Sequence, residues 1–130
     1  MKEVILLLSM LFCHIVDDYY LQGWLASAKQ KTWWEKNCSD KLYSKDYLMA
    51  LAEHAFSWCF IIHLPVIICI LSGVYSVNVM AFCILFAVNW VVHAQTDNLK
   101  ANKKSINLIQ DQLIHVVQIV STWIAYCFVF

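Results

Sequence analysis

Residues 4–22 read VILLLSMLFCHIVDDYYLQ, apolar through Val16 and then closing on acids and tyrosines. The stretch is close to the ~20 residues that a bilayer-crossing helix requires. On such a helix His14 and Asp18 share one stripe, their Cβ atoms about 6 Å apart. An acid or base at the centre of a membrane helix costs roughly 2.5–3.5 kcal/mol. A bound metal, mutual pairing or a water-filled site has to offset that cost. The same four-residue spacing returns at His93 with Asp97 and at Asp111 with His115, again within apolar surroundings.

The whole chain carries the same signature. A length of 130 residues allows one domain, and 62% hydrophobic against 14% charged residues excludes an ordinary soluble globule. Residues 1–130 read as a single integral membrane domain. All nine basic residues are Lys, so the bidentate phosphate recognition of Arg is missing and nucleic acid is not an expected partner. The six cysteines have no CxxC spacing, and five of them lie in apolar stretches, as small membrane-core residues do. Lys2, the apolar run to Val16 and Ala26-Ser27-Ala28 imitate a signal peptide, but Asp17-Asp18-Tyr19-Tyr20 separates the run from the cleavage-like site. The first segment is therefore expected to remain as a membrane helix.

Hydropathy gives four spans: Val4 to Gln22, Leu48 to Leu71, Val77 to Thr96 and Ile106 to Phe130. The expected fold is all-α, a four-transmembrane-helix bundle with up-down topology. Gly23 and Gly73 follow the first two spans, where helix C-termini favour glycine, and Pro65 is expected to kink the second. Lys29, Lys31, Lys36, Lys41 and Lys45 fall in the first loop and Lys100, Lys103 and Lys104 in the third, against Lys2 alone on the other side. The positive-inside rule then puts both Lys-rich loops in the cytoplasm and both termini outside. Trp24, Trp33 and Trp34 suggest a short interfacial segment in the first loop, the alternative being a disordered linker with incidental tryptophans.

Threaded through this topology, His14, Asp18, His54, His93, Asp97, Asp111 and His115 all fall in the cytoplasmic half, at depths that differ by only a few residues' rise. A single i, i+4 pair is more often a local hydrogen bond or a solvated pair. Three pairs and His54 in one layer point instead to metal ligands, and binding free energies of about 10–16 kcal/mol would cover the burial. Gln22, Asn89, Asn107 and Gln112 are expected to orient these ligands. Lys100 could pair with Asp97 or hold an anion. Asp17 and Glu53 rank second, about 100° off their neighbours' stripes, and His63, about 13 Å deeper than His54, is expected outside the cluster. Mixed His and carboxylate ligands fit one or two divalent ions, Zn, Mn or Fe.

The ordered motifs are H-x-x-x-D-x-x-x-Q at His14, Asp18 and Gln22, then His54, H-x-x-x-D-x-x-K at His93, Asp97 and Lys100, and D-Q-x-x-H at Asp111, Gln112 and His115. This arrangement resembles, over nearly the whole chain, a family of short bacterial and phage membrane proteins catalogued as domain of unknown function 3307. It is similar, more loosely, to predicted membrane-bound metal-dependent hydrolases. The resemblance implies a bacterial inner-membrane location and supports the choice of site residues; the family brings no established reaction. Tyr19 matches the aromatic that usually follows the motif's Asp, and the neighbouring Asp17 is a second candidate carboxylate beside Asp18.

These features lead to three expectations. The first is a metal-dependent hydrolase of a lipid or lipid-linked phosphoester at the cytoplasmic leaflet. In it the metal activates water and polarises the phosphoryl oxygen, Asp18, Asp97 and Asp111 serve as ligands or base, and Lys100 steadies the anion. Membrane lipids are the expected partners, drawn to the Lys-rich loops. The second is a metal-ion or proton pathway, because both halves of the chain run from an HxxxD-ending span through a Lys-bearing loop to a span opening with acids and His. The third is a small interaction protein stapled by a closed metal site.

Overall fold

The computed structural model describes residues 1–129, and all regular structure among them is helical. Helix α1 (Lys2–Val16) runs into a π-helical turn, Asp17–Leu21. Two short helices follow, α2 (Leu25–Ala28) and α3 (Lys31–Asn37), then a 3₁₀ turn at Lys41–Tyr43. Three long helices complete the chain: α4 (Asp46–Leu71), α5 (Val79–Ala101) and α6 (Leu108–Phe128).

Local chemistry explains the boundaries. Gly23 and Gly73 adopt positive φ, 47° and 73°, where a Cβ is disfavoured, and they turn the chain after the π turn and after α4. Asn78 caps α5 by accepting from the backbone N–H of Met80 and Ala81, 2.8 and 3.3 Å. Asn107 and Gln110 form a reciprocal capping box on α6, 2.9 and 3.0 Å. α4 runs through Pro65 as one helix of 26 residues. In the first loop Trp24, Trp33 and Trp34 pack edge to face, with ring centroids 5.1–6.1 Å apart. The loop is thus a small folded unit, and it packs on α4 through α2 and α3.

The four long helices form a ring in which α1 neighbours α4 and α6, and α5 neighbours α4 and α6. Short connections make α4, α5 and α6 successive antiparallel neighbours. Three helical stretches, Lys2–Leu21, Lys41–Leu71 and Val79–Ala101, are long and apolar enough to cross a membrane. α6 forms where the fourth span was expected but falls short of that apolarity, diluted by Gln110, Asp111, Gln112, His115 and Gln118. The expected end of that span at Phe130 lies outside the described residues. The third span extends beyond its expected end at Thr96, so Lys100 stands on the last turn of α5 and not in a loop.

The distribution of side chains is inverted relative to a water-soluble globule. Leu8, Phe12, Ile68, Val91, Leu113 and Val117 face outward, each more than half exposed, whereas His, Asp and Lys side chains fill much of the inside. Exposed apolar surface on this scale marks an interaction with lipid or partner. The interior has two layers. Leu6, Met10, Trp58, Cys59, Ile62, Val66, Ile119 and Tyr126 form an apolar core, and the polar layer sits beyond Trp58 toward the first loop.

Candidate metal centre

Three histidines and three aspartates meet in the polar layer, all six buried. α4 supplies His54, α5 supplies His93 and Asp97, α6 supplies Asp111 and His115, and the π turn after α1 supplies Asp18. The Nε2 of His54 lies 3.3 Å from His93 Nε2, 3.2 Å from Asp97 Oδ2 and 3.5 Å from Asp18 Oδ1. The Nε2 of His115 lies 3.6 Å from Asp97 Oδ1 and 3.5 Å from Asp111 Oδ1. Three overlapping groups could hold a metal ion: Asp18, His54 and His93; His93, Asp97 and His115; Asp18, Asp111 and His115.

Two observations fit a cation to these atoms. Zinc-type bonds of about 2.0–2.1 Å in a tetrahedron put neighbouring donor atoms about 3.3–3.4 Å apart, near the separations found here. Further, Asp97 Oδ1, Asp111 Oδ1 and His115 Nε2 are all buried without a hydrogen-bond partner, and the two carboxylate oxygens lie 3.6 and 3.5 Å from that imidazole nitrogen. Unpaired buried polar atoms are expensive, and cations held in the two groups that share His115, one with Asp97 and one with Asp111, would relieve them. Asp97 offers Oδ2 toward His54 and Oδ1 toward His115, so it can serve one ion or bridge two.

Around these six lies a set of orienting contacts. Lys29 Nζ donates to Asp97 Oδ2 and Lys100 Nζ to Asp111 Oδ2, each at 2.5 Å, so the two Oδ1 atoms have no lysine partner. Gln112 links three groups, and its orientation follows from Trp58. The indole Nε1 can only donate, and it does so to His14 Nδ1 at 2.8 Å. His14 Nε2 must then carry the proton and donate to Gln112 Oε1 at 3.1 Å. The Gln112 amide nitrogen is left to donate to Asp18 Oδ2 at 2.8 Å and Asp111 Oδ2 at 3.1 Å. Trp58 also stacks on His93, centroids 4.0 Å apart and 16° between planes.

The expected site residues divide accordingly. Asp18, His54, His93, Asp97, Asp111 and His115 converge, and Gln112 orients carboxylates. His14 is buried beside them, but both of its ring nitrogens are engaged by Trp58 and Gln112. Lys100 takes Asp111, not Asp97. Three amides act elsewhere than expected. Gln22 donates to the backbone carbonyl of Asp18, Asn107 is an exposed helix cap, and Asn89 pairs with Thr122 at 2.8 Å on the side of the apolar core. Asp17 is fully buried and accepts from Ser57 Oγ at 2.8 Å, Glu53 lies in the rim of a surface groove with Met49 and Phe56, and His63 bonds the Cys59 carbonyl at 2.7 Å. Lys29 and Trp58 were not among the residues singled out. In the sequence Lys29 is one lysine of a basic loop; only the folding of α2 against α4 carries it inward.

A cleft of about 490 Å³ adjoins the centre, lined by Asp18, Gln22, Lys29, Lys100, Lys104 and Gln112 among others. It combines a carboxylate of the cluster, Asp18, with basic side chains. No family model, curated protein or solved structure matches this chain.

Proposed function

We propose that the chain is an integral protein of the bacterial inner membrane with four transmembrane helices, α6 completing the three more apolar ones. In this topology the Lys-rich loops are cytoplasmic and both termini lie outside. α6 turns Asp111 and His115 inward, so its polar residues need not face lipid. Labelling of cysteines introduced at Ser39 and Ser105 tests the orientation: both should react from the cytoplasmic side, and reaction of both from the periplasm alone reverses it.

Within that topology the protein is a metal-dependent hydrolase of a lipid or lipid-linked phosphoester at the cytoplasmic leaflet. The cleft carries this proposal, because it sets Lys29, Lys100 and Lys104 beside Asp18, joining an anion-attracting wall to the edge of the metal centre. Asp18, His54, His93, Asp97, Asp111 and His115 would hold one or two divalent ions, with zinc, manganese and iron all compatible with the donors. Such an ion supplies a lowered pKa for water and polarisation of a phosphoryl oxygen. Lys104 and Lys100 steady the substrate's negative charge. Asp18, which lines the cleft, would accept a proton from water. The test is phosphate release from a panel of lipid phosphoesters by protein in nanodiscs, with each metal supplied in turn. Asp97→Asn should abolish turnover and His63→Ala should retain it; full metal occupancy without turnover of any member overturns the hydrolase.

One observation favours a second proposal, an ion or proton pathway. Buried polar groups continue past the centre, from the Asn89–Thr122 pair to His63, whose Nε2 has no partner, and Tyr126. A pathway needs such groups at successive depths. Metal or proton flux into proteoliposomes that fails in both Asp97→Asn and His63→Ala would select it.

A further inference from the structure

Gln112 and Tyr19 line two openings at once. One is the basic cleft. The other is a groove of about 610 Å³ on the flank of the bundle, walled by Leu11, Ile15, Tyr20 and Val116. Apart from the phenols of Tyr19 and Tyr20, the polar side chains that line this groove are His14 and Gln112, which are bonded to each other, so its surface is mainly apolar. Its direction is informative: Leu11 lies seven residues before Asp18 on the helix, about 10 Å further from the Lys-rich end. The groove therefore descends from the cleft toward the apolar depth of the bundle, as a hydrocarbon chain descends from its headgroup.

We infer that cleft and groove together form one amphipathic binding site for a lipid phosphate monoester. Its phosphate lies in the cleft beside Lys104 and the half-buried Lys100, and one of its chains lies between α1 and α6 against Leu11, Ile15 and Val116. Charge complementarity chooses the headgroup: Lys104 has no acidic partner among the described residues, and a divalent ion in the centre would offset the carboxylates that Lys29 and Lys100 face, leaving the cleft net positive toward a monoester, which keeps more negative charge than a zwitterionic lipid. Continuity through Tyr19 and Gln112 chooses the chain's route, which enters from the bilayer and needs no passage through water. This inference rests on the proposed phosphoester site and names its substrate class and route of entry.

Photo-crosslinking of the full chain in phosphatidylcholine nanodiscs tests it without any need for turnover. The probe is phosphatidic acid with a diazirine in one acyl chain, compared with phosphatidylcholine bearing the same chain. Labels from the phosphatidic acid probe should concentrate on Leu11, Ile15 and Val116, fall about tenfold in Lys104→Glu, and leave those positions in Val116→Trp. Equal labelling by the two probes, or labels spread evenly over outward residues such as Leu8, Phe12 and Val91, overturns the site. Groove labelling without hydrolysis keeps the site and removes the hydrolase; hydrolysis without groove labelling does the reverse.

Discussion

His14 and Asp18 on one side of the bundle repeat the spacing of His93 and Asp97 on the other, and the two pairs come to different ends. α5 stays α-helical through Ala101, so His93 and Asp97 stack one turn apart with Nε2 and Oδ2 3.9 Å from each other, both aimed at the centre. α1 gives way to a π turn at Asp17. Adjacent positions of an α-helix lie 100° apart, yet in this widened turn both Asp17 and Asp18 are buried. Asp18 still reaches the centre, whereas His14 is held away from it between Trp58 and Gln112. Equal spacing puts residues on a stripe; the partners that meet the stripe decide which of them face the centre.

The largest effect expected from this difference is in metal affinity. Loss of a residue that only orients a ligand weakens binding by about 10- to 100-fold. His115→Ala and Asp97→Asn, which remove donor atoms, should exceed about 100-fold, while His14→Ala should stay within the orienting range. Metal analysis and competitive titration of the purified variants measure both. A His14→Ala loss as deep as that of His115→Ala would break the contrast and make the two motifs equivalent.

Next in size is the effect of Lys29. Removing one partner of a buried ion pair typically destabilises by about 3–5 kcal/mol, because the other charge is left uncompensated. Lys29→Met should lower thermal stability on that scale in metal-free protein, and saturating metal should restore much of it by supplying positive charge at Asp97. Lys104→Met, an exposed lysine without an acidic partner within salt-bridge reach, should have little effect on stability. Equal losses in the two variants would mean that Lys29 acts through the loop rather than through Asp97.

These contrasts mark the limit of what the sequence discloses. Hydropathy located the long helices within a few residues, because α1, α4 and α5 carry their apolarity in continuous runs and α6, though diluted by polar residues, is still flanked by less apolar chain. The polar layer was legible for a related reason: few ionisable residues interrupt those runs, and helical rise alone places them at one depth. Contacts across the bundle were not legible. Nothing in the local pattern around Lys29 distinguishes it from Lys31, whose partner is the exposed Glu35 at 3.5 Å. Asn89 and Asn107 shared the four-residue spacing of true neighbours, but rotation about the helix turned one to Thr122, and a capping role claimed the other. The π turn has no sequence mark beyond the doubled aspartate.

A change in the Gln112 hinge should be smaller than loss of a ligand. Gln112→Leu keeps much of the volume but leaves Asp18 and Asp111 each without one donor and His14 without its acceptor. Metal affinity should fall by about 10- to 100-fold. Gln112→Glu should fall differently with pH, since protonation of the new carboxyl would restore a donor. A variant that binds as tightly as the parent at every pH would show that the carboxylates are fixed by the lysines alone.

The smallest effect expected belongs to Trp58→Phe, and its sign bears most directly on the two motifs. Phenylalanine keeps an aromatic face for stacking on His93 but has no N–H for His14. An unsatisfied buried acceptor costs about 1–3 kcal/mol. A net loss near 1 kcal/mol is expected, because only His14 Nδ1 loses its partner while Nε2 keeps its bond to Gln112. Gln112 keeps its donation to Asp18 and Asp111, so metal affinity should weaken only slightly, by less than about tenfold. Calorimetric unfolding and metal titration of the same preparation give the two numbers. Tighter metal binding in Trp58→Phe would instead mean that His14, released from the indole, swings in to join His54, His93 and His115. The difference between the two HxxxD pairs would then reside in a single hydrogen bond rather than in the π turn.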